Sequence, residues 1–189
     1  GVGRVWEGES REIGKSLRRE SVHREVDVSL QRLGIDCIDL YQIHWPEPDE
    51  EIEEGWGAVA ELVEAGKIRY AGVSNFNMEQ LKRIQPIHPV TSLQPPYSML
   101  RREVEEEILP YCRENQIGIV AYSPMQAGLL TGRFSKERVQ NLPANDWRKA
   151  NPFFTSPQLE ANLSIIERLR PVAAQMEITL PQLALAWVL

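Results

Sequence analysis

Residues 35–46 read I-D-C-I-D-L-Y-Q-I-H-W-P. The apolar positions Ile35, Cys37, Ile38, Leu40, Tyr41 and Ile43 lack the 3.6-residue spacing of a helix, and the run is short. Both features predict a buried strand covered on both faces. Pro46 has no amide hydrogen to give to a sheet ladder, so pairing should stop there. The strand thereby delivers His44 and Trp45 to its C-terminal edge. In parallel α/β folds that edge is where ligands bind and chemistry is done. One histidine carries little alone, so its significance depends on what the neighbouring strands deliver to the same edge.

On the N-terminal side, Val22, Val26, Leu30 and Leu33 recur at helical spacing, with Ser21 placed to cap the first turn and Gly34 to end the helix in the left-handed conformation. Residues 11–20 are densely charged and read as loop or a short helical turn. Residues 1–10 read as loop and as a cut edge, with no capped element. On the other side, the acidic run 47–54 sits where it favours the dipole of a helix over 52–65. Trp56, Val59, Leu62 and Val63 form that helix's apolar face, and Gly66 ends it. Residues 68–73 (I-R-Y-A-G-V) form a second strand running into Ser74 and Asn75. Asn77 with Gln80 makes a capping box for a helix to residue 85. A third strand over 89–94 ends on Gln94, before Pro95-Pro96.

A helix is predicted over 103–115, with Glu103, Glu105, Glu106 and Glu107 as a solvated face. The fourth strand, 117–121 (I-G-I-V-A), runs into Tyr122-Ser123-Pro124. Residues 126–157, rich in Gly, Pro and Asn, exceed an ordinary connection and are expected to be a lid or binding loop over a site. A helix over 158–176 follows. Thr179 and Gln182 then form a capping box for a last helix, 180–189, which stops on W-V-L.

Four strand-then-helix units in succession imply parallel strands joined by right-handed crossovers. No G-x-G-x-x-G follows an early strand, which disfavours the open nucleotide-binding sheet and leaves a (β/α)8 barrel of the TIM type. Such a barrel takes ~250 residues. The 189 residues are therefore expected to be a single domain, 1–189, holding about four βα units of a partial barrel.

The chain is 42% hydrophobic and 25% charged, with a formal net charge of -6. That balance gives no electrostatic reason to bind nucleic acid or an anionic membrane. No apolar stretch is long enough for a bilayer, and G-V-G-R-V-W-E-G-E-S has neither the basic nor the apolar region of a secretory leader. A soluble cytoplasmic protein is expected. Cys37 and Cys112 show no metal or redox spacing and read as two reduced core thiols; no metal site is expected.

Read together, the strand ends are D-L-Y-Q-I-H-W-P, Y-A-G-V-S-N-F, S-L-Q-P-P-Y-S and V-A-Y-S-P-M-Q-A-G-L-L-T-G. In this order they resemble the aldo-keto reductases, most closely the bacterial stress-protein-like branch that is also similar to potassium-channel β subunits. The resemblance covers essentially the whole chain and implies a barrel that binds NADP(H) and reduces small aldehydes or ketones. It makes His44 the active-site histidine that orients the substrate carbonyl, and Trp45 a wall of the substrate pocket. Ser74, Asn75 and Gln94 match the groups that hold the nicotinamide carboxamide, an amide that needs both donors and acceptors. Tyr122 matches the aromatic stacked on the nicotinamide. Ser123, Pro124, Met125, Gln126, Gly128 and Leu129 match the loop along the pyrophosphate, where Gly128 allows close backbone approach, and Arg133 adds a charge-assisted contact.

The family's proton-donating tyrosine and its lysine and aspartate partners come from strands preceding this sequence. Gly1-Val2-Gly3 stands where the family has K-x-G, so the lysine position is either replaced by Gly1 or lost with the cut. Tyr41 lies three residues before His44, inside the strand, and is not a substitute. Two other readings stay open: a cofactor-binding regulatory or interaction subunit without useful turnover, and a truncated chain with strand edges that binds nothing. Such edges also leave a homo-oligomer open.

Overall fold

The computed structural model describes residues 2–3, 5–6 and 13–189. Gly1 and most of the loop expected over residues 1–10 lie outside that set. The chain forms two compact units, Gly1–Pro95 with Val104–Val120, and Pro96–Glu103 with Ala121–Leu189.

In the first unit, β1 (Val5–Trp6) and β2 (Ile13–Gly14) make an antiparallel pair. Next come α1 (Arg19–Leu33), β3 (Ile38–Ile43), α2 (Ile52–Glu64), β4 (Ile68–Ser74), α3 (Met78–Ile84), β5 (Ser92–Gln94), α4 (Ile108–Glu114) and β6 (Gly118–Ile119). The sheet runs β3-β4-β5-β6, every neighbour parallel, and Val2 makes a parallel bridge to Ile43 on the far side of β3. The spatial order follows the chain order and never reverses among the described strands. A doubly wound sheet has such a reversal; a (β/α)8-type barrel winds in one direction.

Period-two alternation divides the sheet's residues. Tyr41, Ile43, Ala71, Val73 and Leu93 are buried in one core with Val22 and Val26 of α1, Trp56 and Leu62 of α2, and Leu81 and Ile84 of α3. The positions between them face the other way, and there Leu40 is 38% and Tyr70 51% exposed. The strand expected to be covered on both faces is thus covered on one. The apolar run resolves at period two into a packed set and a second set that includes Gln42. On that second face β4 and β5 approach so closely that a Cβ on Gly72 would lie 2.3 Å from Ser92 Oγ.

Gly34 and Gly66 end α1 and α2 in the left-handed conformation, and the Asn77–Gln80 capping box opens α3. Helix α1, however, starts at Arg19, not at Ser21. Its first amide is met from α2, Arg19 N donating to Glu54 Oε1 over 2.8 Å, and just ahead of the helix Leu17 N donates to Glu51 Oε2, in the turn that precedes α2, over 2.8 Å. Ser21 lies inside the first turn, its hydroxyl on Glu25 at 3.2 Å. Likewise 103–115 is not one helix: a short turn at Glu103–Glu105 precedes α4. Pro110 lacks the amide hydrogen and its ring clashes with the carbonyl four residues back, so it is tolerated only in a first turn. Strands β5 and β6 are three and two residues long, shorter than expected.

The second unit holds α5 (Lys136–Gln140), α6 (Gln158–Gln175) and α7 (Leu180–Val188), the last opened by the Thr179–Gln182 capping box. Residues 126–157 contain α5 and three short 3-10 turns. Leu129, Leu130, Val139 and Phe154 bury themselves with Leu159 and Ile166 of α6. The segment expected to be an irregular lid is therefore packed through its sparse apolar residues, which its Gly, Pro and Asn content obscured.

Candidate functional site

The register Ile43↔Val73↔Leu93, with Ser74↔Gln94, brings the ends of β3, β4 and β5 to one level. His44 is the first residue past that level on β3. Asn75, past the end of β4, has φ 64, a left-handed corner that a short polar side chain tolerates better than most. The corner turns its amide across the rim. Nδ2 of Asn75 donates to His44 O over 3.0 Å and to Ser74 Oγ over 3.1 Å. Gln94 O accepts from Ser74 Oγ at 2.8 Å and from Asn75 N at 3.2 Å. On the other side His44 N donates to Val2 O over 3.1 Å. Three strand ends are stitched together just where the ladder stops.

A pocket of about 250 Å³ opens at this rim, lined by Leu40, Gln42, His44, Ser74 and Gln94. The structure therefore gathers four of the expected site residues, His44, Ser74, Asn75 and Gln94, in one place. Trp45 is half-buried beside them, its ring 6.1 Å from that of His44. Leu40 and Gln42 were not expected there. They share the face of His44 at period two, a signal present in Leu-Tyr-Gln-Ile-His. Gln42 Nε2 reaches Ser92 Oγ at 3.4 Å, adding a polar layer below the rim. Tyr41 points the opposite way into the core. Burial pushes its phenol up to about 12, with Glu25 adding in the same direction and the Ser29 hydroxyl opposing. It is not placed to serve the pocket.

The other expected residues lie in the second unit. Tyr122 pairs with Pro96, its carbonyl accepting from Tyr97 N at 3.1 Å. Beyond it Ser123 has φ 55, and Gln126, Ala127 and Gly128 follow at φ 45, 52 and 98. This left-handed turn is held by Ser123 O, which accepts from Gln126 N at 2.8 Å, and by Met125 O, which accepts from Gly128 N at 3.0 Å. At Gly128 a Cβ would stand 3.2 Å from the Phe134 ring. Not every side chain here is available to a ligand. Gln126 is buried and takes a hydrogen bond from Ser98 Oγ at 3.2 Å, and Leu129 is fully buried in the unit's core. Pro124 and Met125 are half-buried, while Ser123 and Arg133 are exposed. What the turn offers is main chain, in the close-approach geometry that suits an anionic oxygen.

Each unit is suited to a different chemistry: the rim of the first carries amide and hydroxyl groups of the kind that pair with an amide, and in the second the left-handed turn lies close to the exposed Arg133. Among the described residues no group of three or more His, Cys, Asp or Glu could hold a metal ion, and no helix is long and apolar enough to cross a membrane.

Comparison with known proteins gives the same direction. "Aldo-keto reductase YhdN" of Bacillus subtilis (strain 168) is 38% identical over 179 residues, covering 94% of this chain and 54% of that protein. "Aldo-keto reductase yakc [NADP(+)]" of Schizosaccharomyces pombe is 36% identical over 184 residues, covering 96% of this chain and 54% of that protein. The chain thus spans about half the length of the curated relatives it matches. Among solved structures, the glycerol dehydrogenase AKR11B4 of Gluconobacter oxydans superposes with a TM-score of 0.91 at 33% identity, over 99% of this chain and 57% of that one. The description "Aldo/keto reductase family" matches residues 5–189, nearly the whole sequence, and the chain belongs to that family.

Proposed function

We propose that the protein carrying this chain reduces aldehydes or ketones to alcohols with NADP(H). The observation that carries the reading is the rim at which His44, Ser74, Asn75 and Gln94 are tied across three strand ends beside one pocket. Family membership and a relative whose name includes NADP(+) support it.

In this reading Ser74, Asn75 and Gln94 hold the nicotinamide carboxamide, and Tyr122 stacks on the ring to fix which face is presented. Residues 123–129 run along the pyrophosphate, chiefly through main-chain groups, with Arg133 adding charge. When bound, the nicotinamide supplies a hydride to the carbonyl carbon. His44 orients the carbonyl oxygen by hydrogen bonding, and Trp45 walls the substrate side. The chain's contribution is placement of two reactants at bonding distance. The proton for the alkoxide is assigned to no residue of this chain.

The test uses the intact protein. Quenching or enhancement of NADPH fluorescence on titration shows binding, and aldehyde-dependent loss of NADPH absorbance shows turnover. Binding without turnover would make it a cofactor-binding regulatory subunit, and absence of both would end the reading.

A further inference from the structure

A cluster of charged side chains lies outside the pocket, where α3 meets the start of α2. Arg83 of α3 donates through Nε and Nη2 to the two oxygens of Glu53, at 2.5 and 2.8 Å. The same guanidinium reaches Asp49 Oδ2 through Nη1 at 2.7 Å and Asp49 O through Nη2 at 3.1 Å. Gln80, one turn earlier, donates from Nε2 to Asp49 Oδ1 at 2.8 Å while its Oε1 accepts from Asn77 N at 3.0 Å. Gln80 and Arg83 together hold the Asp49 carboxyl below its ordinary range. The side chain of Arg83 is 29% exposed, and its fork engages two carboxylates and a main-chain oxygen at once. Isolated exposed ion pairs contribute little, but a bidentate arginine in a network restrains geometry as a single ammonium does not.

The place of the cluster in the chain gives it meaning. Asp49 follows His44-Trp45-Pro46 in the loop leaving β3, and α3 begins directly after Ser74-Asn75-Phe76. The two loops that build the pocket rim are joined twice: on the inside by Asn75 Nδ2 to His44 O, on the outside by Gln80 and Arg83 to Asp49 and Glu53. On its other flank the same loop is tied by Glu47 to Lys15 and by Glu51 to Leu17 and Arg18. We infer that Arg83 is a positioning residue, which holds the loop carrying His44 and Trp45 at a fixed offset from the Ser74–Asn75 corner. It touches neither substrate nor cofactor. It acts through His44, on the orientation of the carbonyl relative to the nicotinamide, and in that respect rests on the reductase reading.

The experiment compares Arg83→Met, Arg83→Lys and wild type in the intact protein. Misplacement by an ångström at a reacting centre is worth up to about a hundredfold in rate. The expected result for Arg83→Met is a kcat lower by about tenfold, with NADPH affinity within about twofold of wild type, because the hydrogen bonds that join Ser74, Asn75 and Gln94 to one another do not pass through the loop that shifts. The deuterium isotope effect with NADPH labelled at the transferred position should rise. Arg83→Lys, with charge but no fork, should recover part of the loss. A kcat unchanged in Arg83→Met overturns the inference, as does a parallel fall of kcat, NADPH affinity and melting temperature, which marks a merely structural residue. If wild type shows no turnover, the reductase reading fails separately. The offset is then read by NMR: Arg83→Met should move the side-chain amide resonances of Asn75, and unchanged resonances overturn the inference.

Discussion

Asn75 and His44 are joined side chain to main chain, Nδ2 of the one donating to the carbonyl oxygen of the other over 3.0 Å. The bond crosses from β4 to β3 one residue beyond the last ladder pair, so it does there what the sheet no longer can. The second Nδ2 hydrogen goes to Ser74 Oγ. Asn75→Ala removes both bonds and leaves a Cβ-bearing residue at φ 64. At about 1 kcal/mol for each bond and about 1 for the backbone, the loss in unfolding free energy is about 2–3 kcal/mol. Asn75→Gly loses the same bonds without the steric penalty. Urea denaturation should find it more stable than Asn75→Ala by about 1 kcal/mol, and equal stabilities would show that the corner is unstrained.

Much of this rim could be seen in the sequence because it is local. A strand that runs into polar residues and a proline must present those residues at its end, and the parallel register does the rest. The capping box of α3 and the glycine ends of α1 and α2 are local for the same reason. What could not be seen depends on distant partners. Whether Leu40 faces packed helices or open space depends on how much of the sheet's second face is covered. Nothing between residues 126 and 157 announces that Leu129, Val139 and Phe154 find one another and α6. The start of α1 was misplaced because its cap comes from α2.

That cap is itself testable. Glu54→Ala leaves the Arg19 amide without its partner and should cost about 1 kcal/mol, the usual worth of an N-terminal cap. Ser21→Ala, at the position the sequence suggests, should cost less in the same denaturation series. Equal losses would return the capping role to Ser21.

Gly72 is required by distance. A Cβ there would meet Ser92 Oγ at 2.3 Å and Ser92 O at 3.0 Å. Overpacking of this sort costs about 1–3 kcal/mol, and here main chain must yield as well. Gly72→Ala should sit at or above the top of that range. Adding Ser92→Gly removes the nearer obstacle, so the double variant should regain part of the loss. Absence of any regain would place the clash in the Ser92 backbone and the Gln42 side chain, which a Cβ would meet at 3.0 and 3.1 Å.

Tyr41 gives the protein an alkaline limit. Its phenol is pushed from 10.0 to about 12 in the folded state, chiefly by burial. The folded state therefore keeps a proton that the unfolded chain gives up. Stability from this group is fully present below about pH 10, declines as pH rises towards about 12, and is then exhausted. A displacement of about two units corresponds to about 2–3 kcal/mol at about 1.4 kcal/mol each. Denaturation measured across that window should show the decline in wild type and a flatter curve in Tyr41→Phe. Identical curves would show that the phenol is not what titrates.

At His44 the bonds that tie the strand ends together run through the main chain. Its imidazole is exposed, while its amide and carbonyl are engaged with Val2 and Asn75 through main-chain atoms that any residue has. His44→Ala should therefore keep its stability within about 0.5 kcal/mol, the usual range for an exposed position. On the proposed reading it should also keep its NADPH affinity, since the residues assigned to the carboxamide are untouched. Turnover should suffer: loss of one preorganised hydrogen bond to the reacting oxygen costs about 10²–10³ in kcat. Gln94→Ala makes the opposite case, weakening NADPH binding in the fluorescence titration before it slows the bound enzyme. On that reading the pair would divide the rim into a substrate side and a cofactor side. A His44→Ala enzyme with wild-type kcat would remove the imidazole from the reaction and leave the rim as a cofactor cradle.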